Sequence, residues 1–207
     1  TAKQVNAQLC NYFRESYVSE FPLKYNSGIT IFTDDCKPSR EVQLGFCGRV
    51  LLNAFNEVEW GEANNDKQLV EMGHSIIESF MQNGFTDAGY FIDFVNFNHG
   101  MPKSKDVIHS IRQQSEAVYA MLHYLKYERQ HGRQHKEWEK KMRTVLDNFL
   151  TLQKADGSFA RKYNDNGDDI DASGGSTPSA TSSLVMGWKY FGDKRYLAAA
   201  KRTVEYV

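Results

Sequence analysis

The chain has little in it that would cross-link or anchor it. Its 207 residues include three cysteines, Cys10, Cys36 and Cys47. The number is odd and no C-x-x-C occurs, which argues against a disulfide framework or a zinc knuckle. No apolar run approaches the roughly eighteen residues of a membrane span. No leader pattern is present, although a start at Thr1 fits a mature or trimmed product. Charge of either sign is not in excess: the formal net charge is −1, so no tract for nucleic acid or another polyanion is expected. G-x-S-x-G, P-loop, H-E-x-x-H and D-D-x-x-D are all missing, which removes the signalled forms of acyl transfer, nucleotide binding, zinc hydrolysis and diphosphate chemistry.

What is present is a repeat. DKQLVEMGHSIIESF (66–80) places Leu69, Gly73, Ile76, Ile77 and Phe80 on one helix face. HKEWEKKMRTVLDNF (135–149) places Trp138, Met142, Val145, Leu146 and Phe149 at the same relative positions. A third copy, DKRYLAAAKRTVEYV (193–207), offers Tyr196, Ala200, Thr203, Val204 and Val207. A weaker fourth copy uses Val5, Leu9, Tyr12 and Phe13, with GITIF (28–32) as the extended piece that follows. The first two copies go on into an Asp turn, at Asp87 and Asp156-Gly157, and then a short extended piece.

Between these helices lie others richer in small residues: 41–58, 115–127 and 179–191. Gly45, Gly48 and Gly187, with several Ala and Ser, permit close helix approach, and helices apolar on most sides are buried. These are read as inner helices and the Asp-led ones as outer. Thr177-Pro178 reads as an N-cap followed by proline at the first helical position. The expectation is an all-α chain of repeated helical hairpins, recurring about every 60–70 residues, in one domain over 1–207 that is a fragment of a longer one.

Q-K-A-D-G-S-F (153–159), S-A-T-S-S-L (179–184) and Y-F-G-D-K-R-Y-L (190–197) resemble the six-hairpin, (α/α)6-toroid glycosidase-like superfamily. The texture is most similar to glycan-degradation proteins of Bacteroides-type bacteria. The resemblance implies inner helices ringing a cleft, outer helices forming a jacket, a carbohydrate substrate, and a periplasmic or secreted location. It also implies carbohydrate metabolism, by a glycoside hydrolase above all; a polysaccharide lyase or a sugar epimerase shares the architecture. Six hairpins are usual there, and this chain supplies roughly three.

In such a ring the loops leading into the inner helices converge. The loop at 163–178 packs Asp165, Asp168, Asp169 and Asp171 together; paired carboxylates divide acid and base duties in glycoside hydrolysis. Oxygen-rich clusters also suit calcium, and a plain acidic turn is the simplest alternative. Apart from that calcium at 165–171, no cofactor is expected. The loop at 98–114 carries His99, His109 and Arg112, with Glu116 one turn beyond Arg112. Arg112 would bind a sugar carboxylate and Glu116 supply a general acid, against the simpler reading of an i,i+4 ion pair. Asp35, beside Asp34, sits in the loop at 33–40. Tyr163 and Trp188 could stack on a sugar ring, though aromatics on such elements are more often core. Asp168, Asp169, Asp171 and Glu116 are thus the catalytic candidates, and Arg112, His109, Tyr163 and Asp35 the substrate-binding ones. A non-catalytic helical module that binds a glycan or a protein is the competing reading.

Overall fold

A computed structural model describes residues 1–27, 39–45 and 49–207. The helices are α1 (Ala2–Ser16), α2 (Val50–Asn64), α3 (Lys67–Asn83), α4 (Ile111–Gln130), α5 (Lys136–Leu152), α6 (Thr177–Phe191) and α7 (Lys194–Tyr206). Short strands separate them: β1 (Tyr17–Val18), β2 (Tyr25–Asn26), β3 (Glu41–Gln43), β4 (Phe94–Asn96), β5 (Ile108–Ser110), β6 (Lys162–Asn164) and β7 (Asp169–Asp171). None of the described helices is long and apolar enough to cross a membrane.

The hairpins are α2–α3, α4–α5 and α6–α7, and α4 lies between α2 and α6. The expected inner and outer roles hold. The apolar stripe of α3 is buried at Leu69, Ile76, Ile77 and Phe80, and that of α5 at Met142, Val145, Leu146 and Phe149. The third copy departs at its end: Tyr196, Ala200 and Thr203 are buried, but Val204 and Val207 are exposed. The helix expected from Glu41 is instead strand β3 followed by a helix from Val50; Arg49 just before it is left-handed, at φ 38°. Ser176, not Thr177, is the N-cap of α6. The Thr177 hydroxyl accepts from the Phe159 N–H at 2.9 Å and ties the preceding extended piece to the helix. The extended piece expected at 28–32, together with Asp34, Asp35, Cys36 and Cys47, lies outside the described residues.

Strand pairing decides which end of the molecule carries the loops. β3, before α2, pairs antiparallel with β4, after α3. β5, before α4, pairs with β6, after α5, and β6 pairs with β7, before α6. Each pairing joins the start of an inner helix to the end of an outer one, so the strands gather at one end. The Q-K-A-D-G-S-F segment is the fastener there. Asp156 Oδ1 accepts from the Ser158 N–H and hydroxyl at 3.0 and 2.7 Å, and the Gln153 amide donates to Gly157 O and, in the next hairpin, to Ala199 O at 3.1 and 3.0 Å. Gly157 has φ +89°, and a Cβ there would lie 2.2 Å from Arg202 O.

Gly73 sets how closely α3 approaches α2: a Cβ on it would lie 2.4 Å from Ala54 O. Helix propensity alone favours alanine at a mid-helix position by about 1 kcal/mol. The clash outweighs that gain, and we expect Gly73→Ala to destabilise the chain by about 1–3 kcal/mol in urea unfolding. A stabilised variant would show that the two helices can move apart freely.

Glu57 of α2 is the most unusual core residue. It is 1% exposed, and among the described residues neither carboxylate oxygen has a hydrogen-bond partner within normal geometry. Burial pushes its pKa up to about 8, with the neighbouring Asn26 opposing only part of the shift. An acid whose pKa is raised by folding adds stability that is fully present below its unfolded value and is lost as pH rises through the folded one. The chain should therefore weaken between about pH 4.5 and 8. Glu57→Gln should remove this part of the fall, gaining roughly 2–4 kcal/mol at pH 8.5 and little at pH 4. Equal effects at the two pH values, read by urea denaturation, would contradict an unpaired buried carboxylate.

Candidate functional site

The strand pairing brings the starts of α2, α4 and α6 together. A cavity of about 250 Å³ opens between them, lined by Leu44, Arg49, Leu51, Glu116, Tyr119 and Ser179 among others. Glu116 projects from the second turn of α4 and its side chain is 22% exposed. Its Oε1 accepts from Arg112 Nε at 3.0 Å. Its Oε2 faces Arg49 Nε at 3.9 Å and the backbone of Gly45, where a Cβ would lie 3.0 Å away. The left-handed backbone at Arg49 turns the chain into α2 at this point. Ser179 and Ser182 add hydroxyls from α6; both donate to backbone carbonyls, of Ser176 and Ser179, so their oxygens remain acceptors toward the cavity. One carboxylate, guanidinium groups and hydroxyls over an apolar floor make a small polar-ligand site. Among the described residues lining it, Glu116 is the one carboxylate.

The sequence candidates divide between two places. Arg112 and Glu116 meet, as their spacing suggested. The acidic loop faces a different cavity of about 480 Å³, lined by Tyr90, Asn148, Lys154, Tyr163, Asp165 and Asp169 among others. Asp169 is ion-paired to Lys154 at 2.7 Å. Asp168 stays in its own turn, accepting from the Asn164 amide at 2.8 Å. Asp171 accepts from the Ser173 hydroxyl and N–H at 2.7 and 3.1 Å, which hold its carboxyl below the ordinary range. Neither Asp168 nor Asp171 lines either cavity. Among the described residues no three His, Cys, Asp or Glu side chains converge where a metal ion would sit.

His109 and Tyr163 lie beneath this surface. His109 is buried between Phe91 O, 3.2 Å from Nδ1, and Asp165 Oδ1, 3.1 Å from Nε2, and stacks on Tyr90. Burial lowers its pKa, with Asp165 opposing. It rivets β5 to the turn after α3, and His99 stands apart from it, exposed beyond β4. Tyr163 is 1% exposed; among the described residues its hydroxyl has no partner, and burial raises its pKa. Trp188 is partly buried against the core.

Several residues escaped the sequence reading, Arg49 and Asp93 near the site among them. Asp93, inside the apolar run YFIDFV, is buried and accepts from the Ser110 N–H and the Gln114 amide. Burial pushes it up to about 7, while those hydrogen bonds and Lys162 pull it down. It pins the start of α4, from which Arg112 and Glu116 project. A charge amid apolar neighbours was the available signal.

No protein-family model and no curated protein matches the chain. Solved structures do. A D-mannose isomerase is 11% identical, with a TM-score of 0.67 over 98% of this chain and 49% of that one. The unsaturated glucuronyl hydrolase of Bacillus sp. GL1 is 11% identical, with a TM-score of 0.66 over 97% of this chain and 53% of that one. The cellobiose 2-epimerase of Bacillus thermoamylovorans is 20% identical, with a TM-score of 0.61 over 76% of this chain and 40% of that one. The chain spans about half the length of such structures, and its hairpins have the fold of the six-hairpin α/α toroids.

Proposed function

We propose that this chain forms part of a carbohydrate-active enzyme, of the glycoside hydrolase kind, with Glu116 as the group that works on the sugar. The observation that carries the reading is the position of Glu116, on the wall of the cavity where three inner helices begin, between Arg112 and Arg49. In glycoside hydrolysis a carboxylate so placed serves as an acid–base group or as the anchor of a sugar hydroxyl. The guanidinium groups suit a sugar that carries a carboxylate of its own. Proteins of the same fold act in the same chemical world: one is a glucuronyl hydrolase, others an isomerase, an epimerase and a polysaccharide lyase.

One observation favours the binding-module reading. No second carboxylate faces Glu116 among the described residues that line its cavity. The experiment that separates the two uses neutral and uronate-containing oligosaccharides, measured for binding and for reducing-end release. Turnover of a uronate-bearing glycan supports the hydrolase. Binding without turnover assigns a glycan-binding module, and neither binding nor turnover ends the carbohydrate reading. The epimerase reading calls for paired histidines in the cleft; it is not favoured here, since both ring nitrogens of His109 are engaged inside the protein and His99 is exposed beyond β4.

A further inference from the structure

The cavity of about 480 Å³ beside the acidic loop shares no lining residue with the one at Glu116. The end of α5 and the β6–β7 hairpin form its walls, with Tyr90 from the turn after α3. Its charges are already matched: Lys154 pairs with Asp169 at 2.7 Å, and His109 Nε2 lies 3.1 Å from Asp165 Oδ1. What is left over is hydrogen-bonding capacity. The Asp165 side chain is 12% exposed, and its Oδ2 accepts no hydrogen bond from the described residues. The Asn148 amide gives one hydrogen to Ala88 O at 3.1 Å and keeps its own carbonyl oxygen. Asn166 stands exposed at the rim. Tyr163 is the sharpest signal. It lines this cavity, yet its buried hydroxyl has no partner among the described residues. A buried hydroxyl without a partner costs free energy, and an entering ligand supplies the missing one.

We propose that this cavity is a second ligand site, for a neutral sugar ring whose hydroxyls donate to Asp165 Oδ2 and the Asn148 carbonyl oxygen and accept from the Tyr163 hydroxyl, with Asn166 closing over them. The chemistry of the walls selects this class. An anion would meet Asp165 and Asp169, with Lys154 already engaged. A metal ion lacks its ligands, since among the described residues no three acidic, His or Cys side chains converge. An ammonium group only donates, and leaves the N–H groups of Lys154 and Asn148 without an acceptor; a hydroxyl donates and accepts. Tyr90 and Leu152 offer the C–H face of a ring an apolar wall. The site binds without turnover and stands independently of the hydrolase reading.

The test is amide NMR of the 207-residue chain titrated at millimolar levels with glucose, with glucuronate and with sorbitol, an open-chain polyol. Glucose should shift the amides of Asn148 and Gly167, and the other two should bind at least about threefold more weakly. Tyr163→Phe keeps the ring and removes only the unpartnered hydroxyl, so the variant should fold as well as the parent or better. It should bind glucose about threefold to tenfold more weakly, the worth of one hydrogen bond. Asn166→Ala, at an exposed position, is the second variant and should lose affinity in the same direction. Glu116→Gln should leave these shifts unchanged, because the two cavities have separate walls. No shift at Asn148 and Gly167, or full affinity in both Tyr163→Phe and Asn166→Ala, would overturn the proposal. Glucuronate or sorbitol binding as tightly as glucose would do the same. So would loss of the shifts in Glu116→Gln, which would put the sugar in the other cavity.

Discussion

Glutamine at position 116 should lower kcat/KM on a cleaved glycan by about 100-fold or more, the usual range for loss of an acid–base group. The substitution keeps the shape of the side chain and its place on α4, but removes the charge that Arg112 and Arg49 face. Asp168→Asn and Asp171→Asn should each change it by less than about threefold, because Asp168 is exposed, Asp171 is half-buried, and both are bonded to residues of their own loop and strand pair. The contrast makes the measurement decisive. A large loss in the two aspartate variants with little at Glu116→Gln would move the chemistry to the acidic loop and overturn the assignment.

The largest structural effect is expected at the opposite end of the hairpins, at Glu128 near the end of α4. It is buried, and accepts from Arg133 Nε at 2.8 Å and His135 Nε2 at 2.9 Å. Arg133 also reaches Glu62 of α2 at 2.9 Å, so one guanidinium links two inner helices. Burial opposes ionisation of Glu128, but Arg133 and His135 overcome it and hold the carboxyl below its usual range. Glu128→Ala removes the shared acceptor and opens a hole beneath the turn between α4 and α5. Removing one partner of a buried pair costs about 3–5 kcal/mol; Arg133 is partly solvated, so about 3 kcal/mol is the better expectation. For a chain of this length that lowers Tm by roughly 6–12 °C. A shift under about 2 °C would mean that solvent replaces the carboxylate without penalty.

The outer helices were legible because their stripes recur with the helical period and their neighbours are polar. The inner helix at Val50 was legible as a helix but not in its start. Residues 41–49 have apolar spacing compatible with a helix, and at 41–43 what overrides it is the pairing of β3 with β4, whose residues lie 51 to 55 positions away in sequence. Val204 and Val207 follow the stripe yet are exposed, since periodicity says which face is apolar and not whether anything covers it. Asp93 and Glu57 were passed over for a related reason: burial of a carboxylate depends on what packs around it.

Among the candidate site residues, Arg112 with Glu116 was readable because helical spacing of four is a local property. The place of Arg49 beside Glu116 was not, for it joins residues 67 apart, from the starts of two different inner helices. Nor was the separation of Asp168, Asp169 and Asp171 from Glu116. Four acids within seven residues look like one site, but each turns to its own partner in Asn164, Lys154, Ser173 or His109.

By itself the sequence determined the helical class, the hairpin repeat and the inner and outer roles, because each follows from spacing along one helix. Tertiary structure decided which end holds the cavity, which carboxylate faces it and which is left buried without a partner. Those outcomes rest on strand pairings and helix contacts between residues far apart in the chain, where local periodicity has no reach.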